Sequence, residues 1–432
     1  MNEQDLVSAW HDLLLMFFFA FGSSVGPTFR QLLTGWVLAT GRRTISGIIP
    51  FADPAHLRAH DAYHYLFPHA RWFLSSLWRH WAKFVIKLFA PCGRVPLDLD
   101  DTLFHKSGKK VEGAAWWRDA VRSTGTRTVH ALGLNLVLLT LRVQPPWGGE
   151  PLGIPINMRL HRKDGESLLE LAEAMVREVA GWLPGRDFSL CADGFYATLA
   201  GRELPRTVFT SRIRRDAALY EEPPLARKGQ RGRPRKKGAR LPTPEKLATS
   251  VRKWERVQVR ERGQLKERLL FTCLVLWYEV CGSRPVRLVI SRDPAGHEKD
   301  DFFFTTDTDL QPEAVVGTTA GRWCIEDTFR NTKQFLGAEE PQVWKGKGPE
   351  RAAGLSFLLY GVVWVWYLQY GYKHTTLPCR EWYPQKEHPS FQDALYALRQ
   401  ALWHERIFGR YGQPSAPAKI YRLLVDALAA CA

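Results

Sequence analysis

Arg322, Glu326 and Lys333 place one carboxylate between two cations in the stretch Arg322-Trp-Cys-Ile-Glu-Asp-Thr-Phe-Arg-Asn-Thr-Lys-Gln-Phe-Leu-Gly337. At about 100° per residue, Glu326 falls roughly 40° and Lys333 roughly 20° around a helix axis from Arg322, so the three share a stripe. Ile325, Phe329, Thr332 and Leu336 fill the neighbouring stripe, which lets one helix over this stretch anchor in a core while its charges face a cleft. Gly337 and Pro341 supply the stop signals. Two acids upstream close short apolar runs: Val95-Pro-Leu-Asp98-Leu-Asp100-Asp101-Thr102 and Phe188-Ser-Leu-Cys-Ala-Asp193-Gly194, each of which reads as a strand. Carboxylates are hard oxygen ligands that suit Mg²⁺, an ion that keeps coordination positions open for water and phosphate oxygens. Two such ions roughly 4 Å apart can activate an attacking oxygen and stabilise a leaving one. The plainer readings are an ordinary Arg322–Glu326 pair, worth a few tenths of a kcal/mol, and a turn aspartate before Gly194.

Strands and helices in a definite order must position these acids. After the first acid the apolar runs Val129 to Val143 and Ile154 to His161 read as strands and Ser167 to Trp182 as a helix. The strand ending at Asp193 follows, then a short helix near Tyr196 to Glu203 and a strand at Thr207 to Ser211. On the first strand Asp98 and Asp100 share a face and Asp101 points the other way, so periodicity leaves two candidates. Between the last of these strands and Glu326 lie about a hundred residues, an insertion in which Leu269 to Val280, Arg287 to Ser291 and Asp301 to Thr306 look like strands of an inserted sheet.

The charged helix resembles a known signature. Arg322, Glu326 and Lys333, with the flanking Trp323, Ile325, Phe329, Arg330 and Gln334, match the Tyr-Arg-Glu-Lys motif of DDE transposases from bacterial insertion sequences. Asp100-Asp101-Thr102 with Lys106 and Gly108 looks like the segment carrying that family's first aspartate, and Ala192-Asp193-Gly-Phe-Tyr196 like the second. The likeness runs from about Asp98 to Leu336, and it selects Asp100, with Asp98 in reserve. Thr319 stands where the signature has tyrosine.

What the resemblance implies is an α/β chain with an RNase H-like mixed sheet flanked by helices. The sheet would be split by a β-rich insertion, and the chain would carry a helical N-terminal domain. The expected divisions are 1–90 for the helical, DNA-end-binding domain, 91–212 for the first part of the core, 213–310 for the insertion, 311–378 for the second part, and 379–432 for a helical tail. Asp100, Asp193 and Glu326 would hold two Mg²⁺, with Mn²⁺ able to substitute, and Arg322, Arg330 and Lys333 would contact phosphate. The chemistry would be cut-and-paste transposition: strand cleavage at insertion-sequence ends, then transfer into target DNA. The working assembly would be a homodimer in the synaptic complex. An aromatic residue of the insertion would stack a displaced base; Trp254 and Trp277 are the candidates, with Trp277 better suited to burial. The Thr319 departure leaves room for a second reading, a non-catalytic DNA-binding protein derived from a transposase.

The rest of the composition agrees with a polyanionic partner. The 432 residues carry a formal charge of +16, which favours salt-dependent binding to nucleic acid. Ala226 to Arg240 contains no acid and is rich in Gly and Arg, against a packed element. Its Arg231-Gly-Arg233-Pro-Arg235 looks like an AT-hook for the A·T minor groove; one short basic match carries little information, and with Lys236 and Lys237 the tract reads rather as a nonspecific phosphate-binding linker. Seven cysteines stand without paired spacing, which fits a reducing cytoplasm better than a disulfide or zinc scaffold, and the resemblance implies association with the nucleoid there. His60 and His64, four apart, lack a third ligand and read as structural. Ala352 to Leu368 carries no charge; beside the Glu326 helix, and with Gly354 and Gly361 inside it, it reads as a buried core helix with no membrane involved.

Overall fold

The computed structural model describes residues 3–224, 235–377, 385–411 and 418–431. Five helices open the chain: α1 (Glu3–Leu15), α2 (Val25–Leu38), α3 (Ile45–Ala52), α4 (His60–Tyr65) and α5 (Leu74–Phe89). Leu77, Trp78, Trp81, Val85 and Ile86 make α5 amphipathic, and Trp81 donates its indole N–H to the Pro155 carbonyl at 2.8 Å. The N-terminal helices therefore enter the same apolar core as the rest of the chain. On α4, both imidazoles turn an Nε2 toward Ser46 Oγ, at 3.3 and 3.4 Å, so His60 and His64 are held by a hydroxyl.

Ten strands form one mixed sheet. They are β1 (Val95–His105), β2 (Ala115–Arg118), β3 (His130–Val143), β4 (Leu152–His161), β5 (Phe188–Ala192), β6 (Thr207–Arg212), β7 (Glu255–Glu261), β8 (Gln264–Leu276), β9 (Pro285–Arg292) and β10 (Asp301–Thr305). The order is β2-β3-β1-β5-β6-β10-β9-β8-β7, with β4 also paired to β3. β1, β5 and β6 run parallel, and the flanking pairs are antiparallel. Crossover helix α6 (Leu168–Trp182) starts on a capping box, the Ser167 hydroxyl accepting from Glu170 N–H while the Glu170 carboxylate accepts from Ser167 N–H. The strands expected to form an inserted sheet do not stand apart. β10 pairs with β6, so β7 to β10 prolong the core sheet and cover what would otherwise be an open edge.

Helices α7 (Pro244–Ser250) and α8 (Tyr278–Cys281) decorate the inserted strands. They are followed by α9 (Pro312–Gly321), α10 (Cys324–Leu336), α11 (Gly348–Trp366), α12 (Phe391–Tyr411) and α13 (Ala418–Ala430). α11 with the turn after it is long and apolar enough to cross a bilayer, yet 94% of its apolar window is buried inside the protein. Its apolar all-round sequence is that of a helix wrapped by neighbours on every side. α5, α6, α10 and α11 all pack on β4, so β3 and β4 are buried on both faces.

The helix bearing Glu326 rides directly on backbone. Thr328 of α10 donates its hydroxyl to the Gly153 carbonyl at 2.9 Å, and a Cβ at Gly153 would meet Thr328 Oγ1 at 2.8 Å and the Cys324 carbonyl at 3.1 Å. Gly153→Ala is expected to cost about 1–3 kcal/mol through overpacking, read as a lower urea midpoint. Because it displaces α10, it should lower catalytic activity further than the loss of folded protein explains.

Candidate active site

β1 delivers three carboxylates to three different environments. Asp98 is fully buried and takes the Arg142 guanidinium, with Nε at 2.9 Å, while the Cys324 thiol donates to it at 3.3 Å. All of that surrounds an internal ion pair, so the reserve candidate serves the interior. Asp100, one strand repeat further on, bonds through Oδ2 to Arg322 Nη1, and its Oδ1 accepts from the Asp101 N–H at 2.9 Å. Asp101 accepts the Tyr196 hydroxyl at 2.8 Å, tying the middle of β1 to the segment after β5.

Asp193 follows β5 and caps the short 3₁₀ turn Gly194–Gly201: its Oδ1 accepts from Phe195 N–H at 3.0 Å and Tyr196 N–H at 3.4 Å. The turn role and a place in the cleft are thus compatible. Glu326 sits in the first turn of α10, with Oε1 4.0 Å from Arg322 Nη1. The residues expected to anchor α10, Ile325, Phe329, Thr332 and Leu336, are all buried, and Gly337 ends it in the left-handed region at φ 55°.

The helix does not run unbroken from Arg322. Arg322 closes α9, and α10 begins at Cys324, the junction being tightened by Ile325 N–H to Arg322 O and Glu326 N–H to Trp323 O, both 3.0 Å. The break falls where the chain passes Arg142: a Cβ on Gly321 would lie 2.9 Å from its Nη1. Arg322 still faces both Asp100 and Glu326, now as a bracket between strand and helix.

Asp100, Asp101, Asp193 and Glu326 line one cleft of about 720 Å³. Burial pushes the Asp100 carboxyl up to about 8; Arg322 pulls it down, and Asp193, Glu326 and Asp101 push it further up. Burial raises Asp101 as well, against the pull of the Tyr196 hydrogen bond. Such crowding of carboxylates is stable only if protons or cations share the space. Among the described residues no three acid, histidine or cysteine side chains are already grouped about one point as metal ligands. The acids share a cleft, with Arg322 against Asp100, rather than a finished coordination shell.

A family model described as DDE superfamily endonuclease matches residues 24–266, more than half of the 432. The chain belongs to the DDE superfamily of endonucleases. The matched stretch contains Asp100 and Asp193 and ends before Glu326. Among solved structures, a cryo-EM structure of a piggyBac transposase synaptic complex with hairpin DNA is similar at 9% identity, over 94% of this chain and 76% of that one, with a TM-score of 0.42. No curated protein matches the chain.

The remaining expected contacts of this DDE endonuclease divide. Arg330 is exposed on the cleft rim and pairs with Asp327 at 2.7 Å. Lys333 turns inward, its Nζ donating to Thr102 Oγ1 at 2.9 Å and the Leu103 carbonyl at 2.8 Å, which clamps α10 to β1. Arg231 and Arg233 lie outside the described residues. Arg235 and Lys236 are exposed, and Lys237 stands over the Tyr220 ring at 3.8 Å, beside α8 and away from the acid cleft. Trp277 is buried against Phe304, and Trp254 is covered by Arg292 at 4.2 Å. Thr319, at the signature's tyrosine position, bonds its own helix through the Val315 carbonyl at 2.9 Å.

The sequence pattern does not single out Arg142, which holds Asp98, or Arg118 and Arg122, which line the cleft. Arg142 had a signal: a lone guanidinium near the end of the apolar run Val129 to Val143 needs a buried partner.

Proposed function

We propose that this DDE endonuclease is a transposase of the bacterial insertion-sequence branch, built on an RNase H-like core. The reading rests on one observation, a single cleft that gathers Asp100, Asp193 and Glu326, from β1, the end of β5 and α10, beside Arg322. The Arg322, Glu326 and Lys333 spacing supports the branch, and the parallel β1-β5-β6 centre with an antiparallel β3 supports the core.

The donor set fits a hard divalent cation, since the crowded groups are carboxylates, and burial, with their mutual repulsion added, raises Asp100. Asp100, Asp193 and Glu326 would hold two Mg²⁺, or Mn²⁺ in their place, which when bound supply Lewis-acid activation and charge neutralisation at the phosphate. Arg322 contributes a fixed cation between two of the acids and is directed at the phosphate charge that builds during displacement. The Asp101–Tyr196 bond holds two acid-bearing segments in register, and Lys333 does the same for β1 and α10. Arg118, Arg122 and Arg330 form a rim for the DNA backbone. Hydrolysis at an element end frees a 3′-hydroxyl, which then attacks a target phosphodiester, one P–O bond forming as another breaks, in a complex of two protein copies.

The test uses purified protein and a plasmid carrying the sequences that flank the gene. Nicking or excision with MgCl₂, abolished by EDTA, supports the reading; specific binding without any cutting in Mg²⁺ or Mn²⁺ rejects it in favour of a non-catalytic DNA binder.

Acidity provides a second measurement. Asp100 retains a proton up to about pH 8, whereas the unfolded chain releases it near 3.8. The protonated group's contribution to stability is therefore complete below pH 3.8 and is lost as pH rises through about 8. The Tm of the metal-free protein is expected to fall from about pH 6 to about pH 9, and MgCl₂ to raise it more at the higher pH. Asp100→Asn should flatten both trends in differential scanning fluorimetry.

A further inference from the structure

We propose that the acid cleft continues into a trough that binds an unpaired DNA strand, with Trp116 as the stacking surface for a base. The assignment deepens the transposase reading and rests on it. Two further cavities, about 960 and about 680 Å³, adjoin the acid cleft. His105 lines all three, and Lys106, Ser107 and Lys109 are common to the two outer ones. The path therefore leaves the acids at the end of β1, passes the short strand β2 and reaches the loop around Trp344.

Charge along this path is unevenly neutralised. The acids are engaged: Asp119 and Glu339 by the two ring nitrogens of His105 at 2.8 and 3.0 Å, Glu340 by the Arg43 N–H, and Glu112 by Arg162 at 3.5 Å. Lys109, Lys110 and Lys163 are exposed and form no ion pair among the described residues. Exposed Arg122 reaches the trough from the β2–β3 loop. A row of exposed ammonium and guanidinium groups leading from a phosphodiester-cutting cleft fits a polyanionic backbone.

The indoles decide between duplex and single strand. Trp116 is 60% exposed on β2 and Trp344, which lines the outer cavity, is 48% exposed, whereas Trp10, Trp36, Trp72, Trp78 and Trp81 are fully buried and the half-exposed Trp323 is covered by Arg262 at 4.7 Å. Large exposed indoles are costly to hydrate, and a duplex hides its base faces inside the stack. An unpaired strand presents those faces, and cations interleaved with open aromatic rings are the features that bind one irrespective of sequence. Lys345 stands over the Trp344 ring at 4.5 Å, so Trp116 is the ring left open to a base.

The experiment is fluorescence anisotropy of the full chain, in EDTA to prevent cutting. The probes are a blunt duplex of about 20 base pairs and the same duplex with a single-stranded tail of about ten nucleotides. The parent protein is expected to bind the tailed probe roughly tenfold more tightly; Trp116→Ala should abolish that preference and Trp116→Phe retain most of it. Lys109→Glu combined with Lys110→Glu should weaken the tailed probe and flatten its salt dependence. Equal affinity of the parent for both probes, or an undiminished preference in Trp116→Ala, overturns the trough. Glu326→Gln separates the two readings, because it should keep the tail preference while cutting nothing. A parent that cuts plasmid but ignores the tail defeats the trough alone, and one that binds neither probe defeats both.

Discussion

Glu326→Gln, Asp193→Asn and Asp100→Asn are each expected to lower strand cleavage on the order of a thousandfold, while DNA-end binding stays within about threefold of the parent. The three side chains line one cleft from three separate elements. Each substitution keeps the size of the side chain and removes its capacity to carry a negative charge toward a cation, so neither β1, the capped turn after β5, nor α10 need shift. Because the acids act as a unit, pairs of substitutions should be hardly worse than single ones, the non-additivity of groups that share one task. The measurement is single-turnover nicking of a labelled element end in Mg²⁺, with a gel-shift titration of the same DNA in EDTA. Any of the three retaining a tenth of parental cleavage would remove that residue from the site. Asp193→Asn is the most exacting case, since an amide oxygen can still cap the turn through Phe195 N–H.

Asp98 should behave in the opposite way. Asp98→Ala or Arg142→Ala breaks an ion pair whose side chains are 0% and 15% exposed. Removing one partner of such a pair leaves the other charge buried and costs about 3–5 kcal/mol. In urea melts each single variant should lose that much or fail to accumulate as folded protein. Replacing both residues with apolar side chains of similar volume, Asp98→Leu with Arg142→Met, should recover most of the loss, because no stranded charge remains. Cleavage per folded molecule should survive in the double variant at a measurable rate. A double variant that folds and is as inactive as Glu326→Gln would return Asp98 to the catalytic set.

Much of the site was legible because strand alternation and acid position are local properties. Asp193 closing an apolar run, Gly337 stopping a helix and the Ile325, Phe329, Thr332, Leu336 stripe depend on neighbours a few residues away, and they fold as the pattern indicates. The choice between Asp98 and Asp100 did not. Both lie on one face of β1, and they differ through Arg142, 44 residues on, and Arg322, 222 residues on. The contacts of Lys333 are hidden from the sequence for the same reason. Its helical stripe is that of Glu326, but the partner that claims it, the Leu103 carbonyl, belongs to another element. The helix break at Arg322 and Trp323, between α9 and α10, likewise leaves no mark in the helical period. The strands of the insertion were visible, yet their docking onto β6 depends on pairing between residues some ninety positions apart.

That docking limits how the enzyme can move. Backbone hydrogen bonds run without interruption from β7 through β10 to β6, β5 and β1, so the inserted strands form a stiff plank continuous with the floor beneath Asp100. Swinging it aside as a hinged flap would tear the β6–β10 ladder. Access to the acid cleft is then left to the surface connections that line it, among them the segment Asp119 to Arg122 with its exposed Val121.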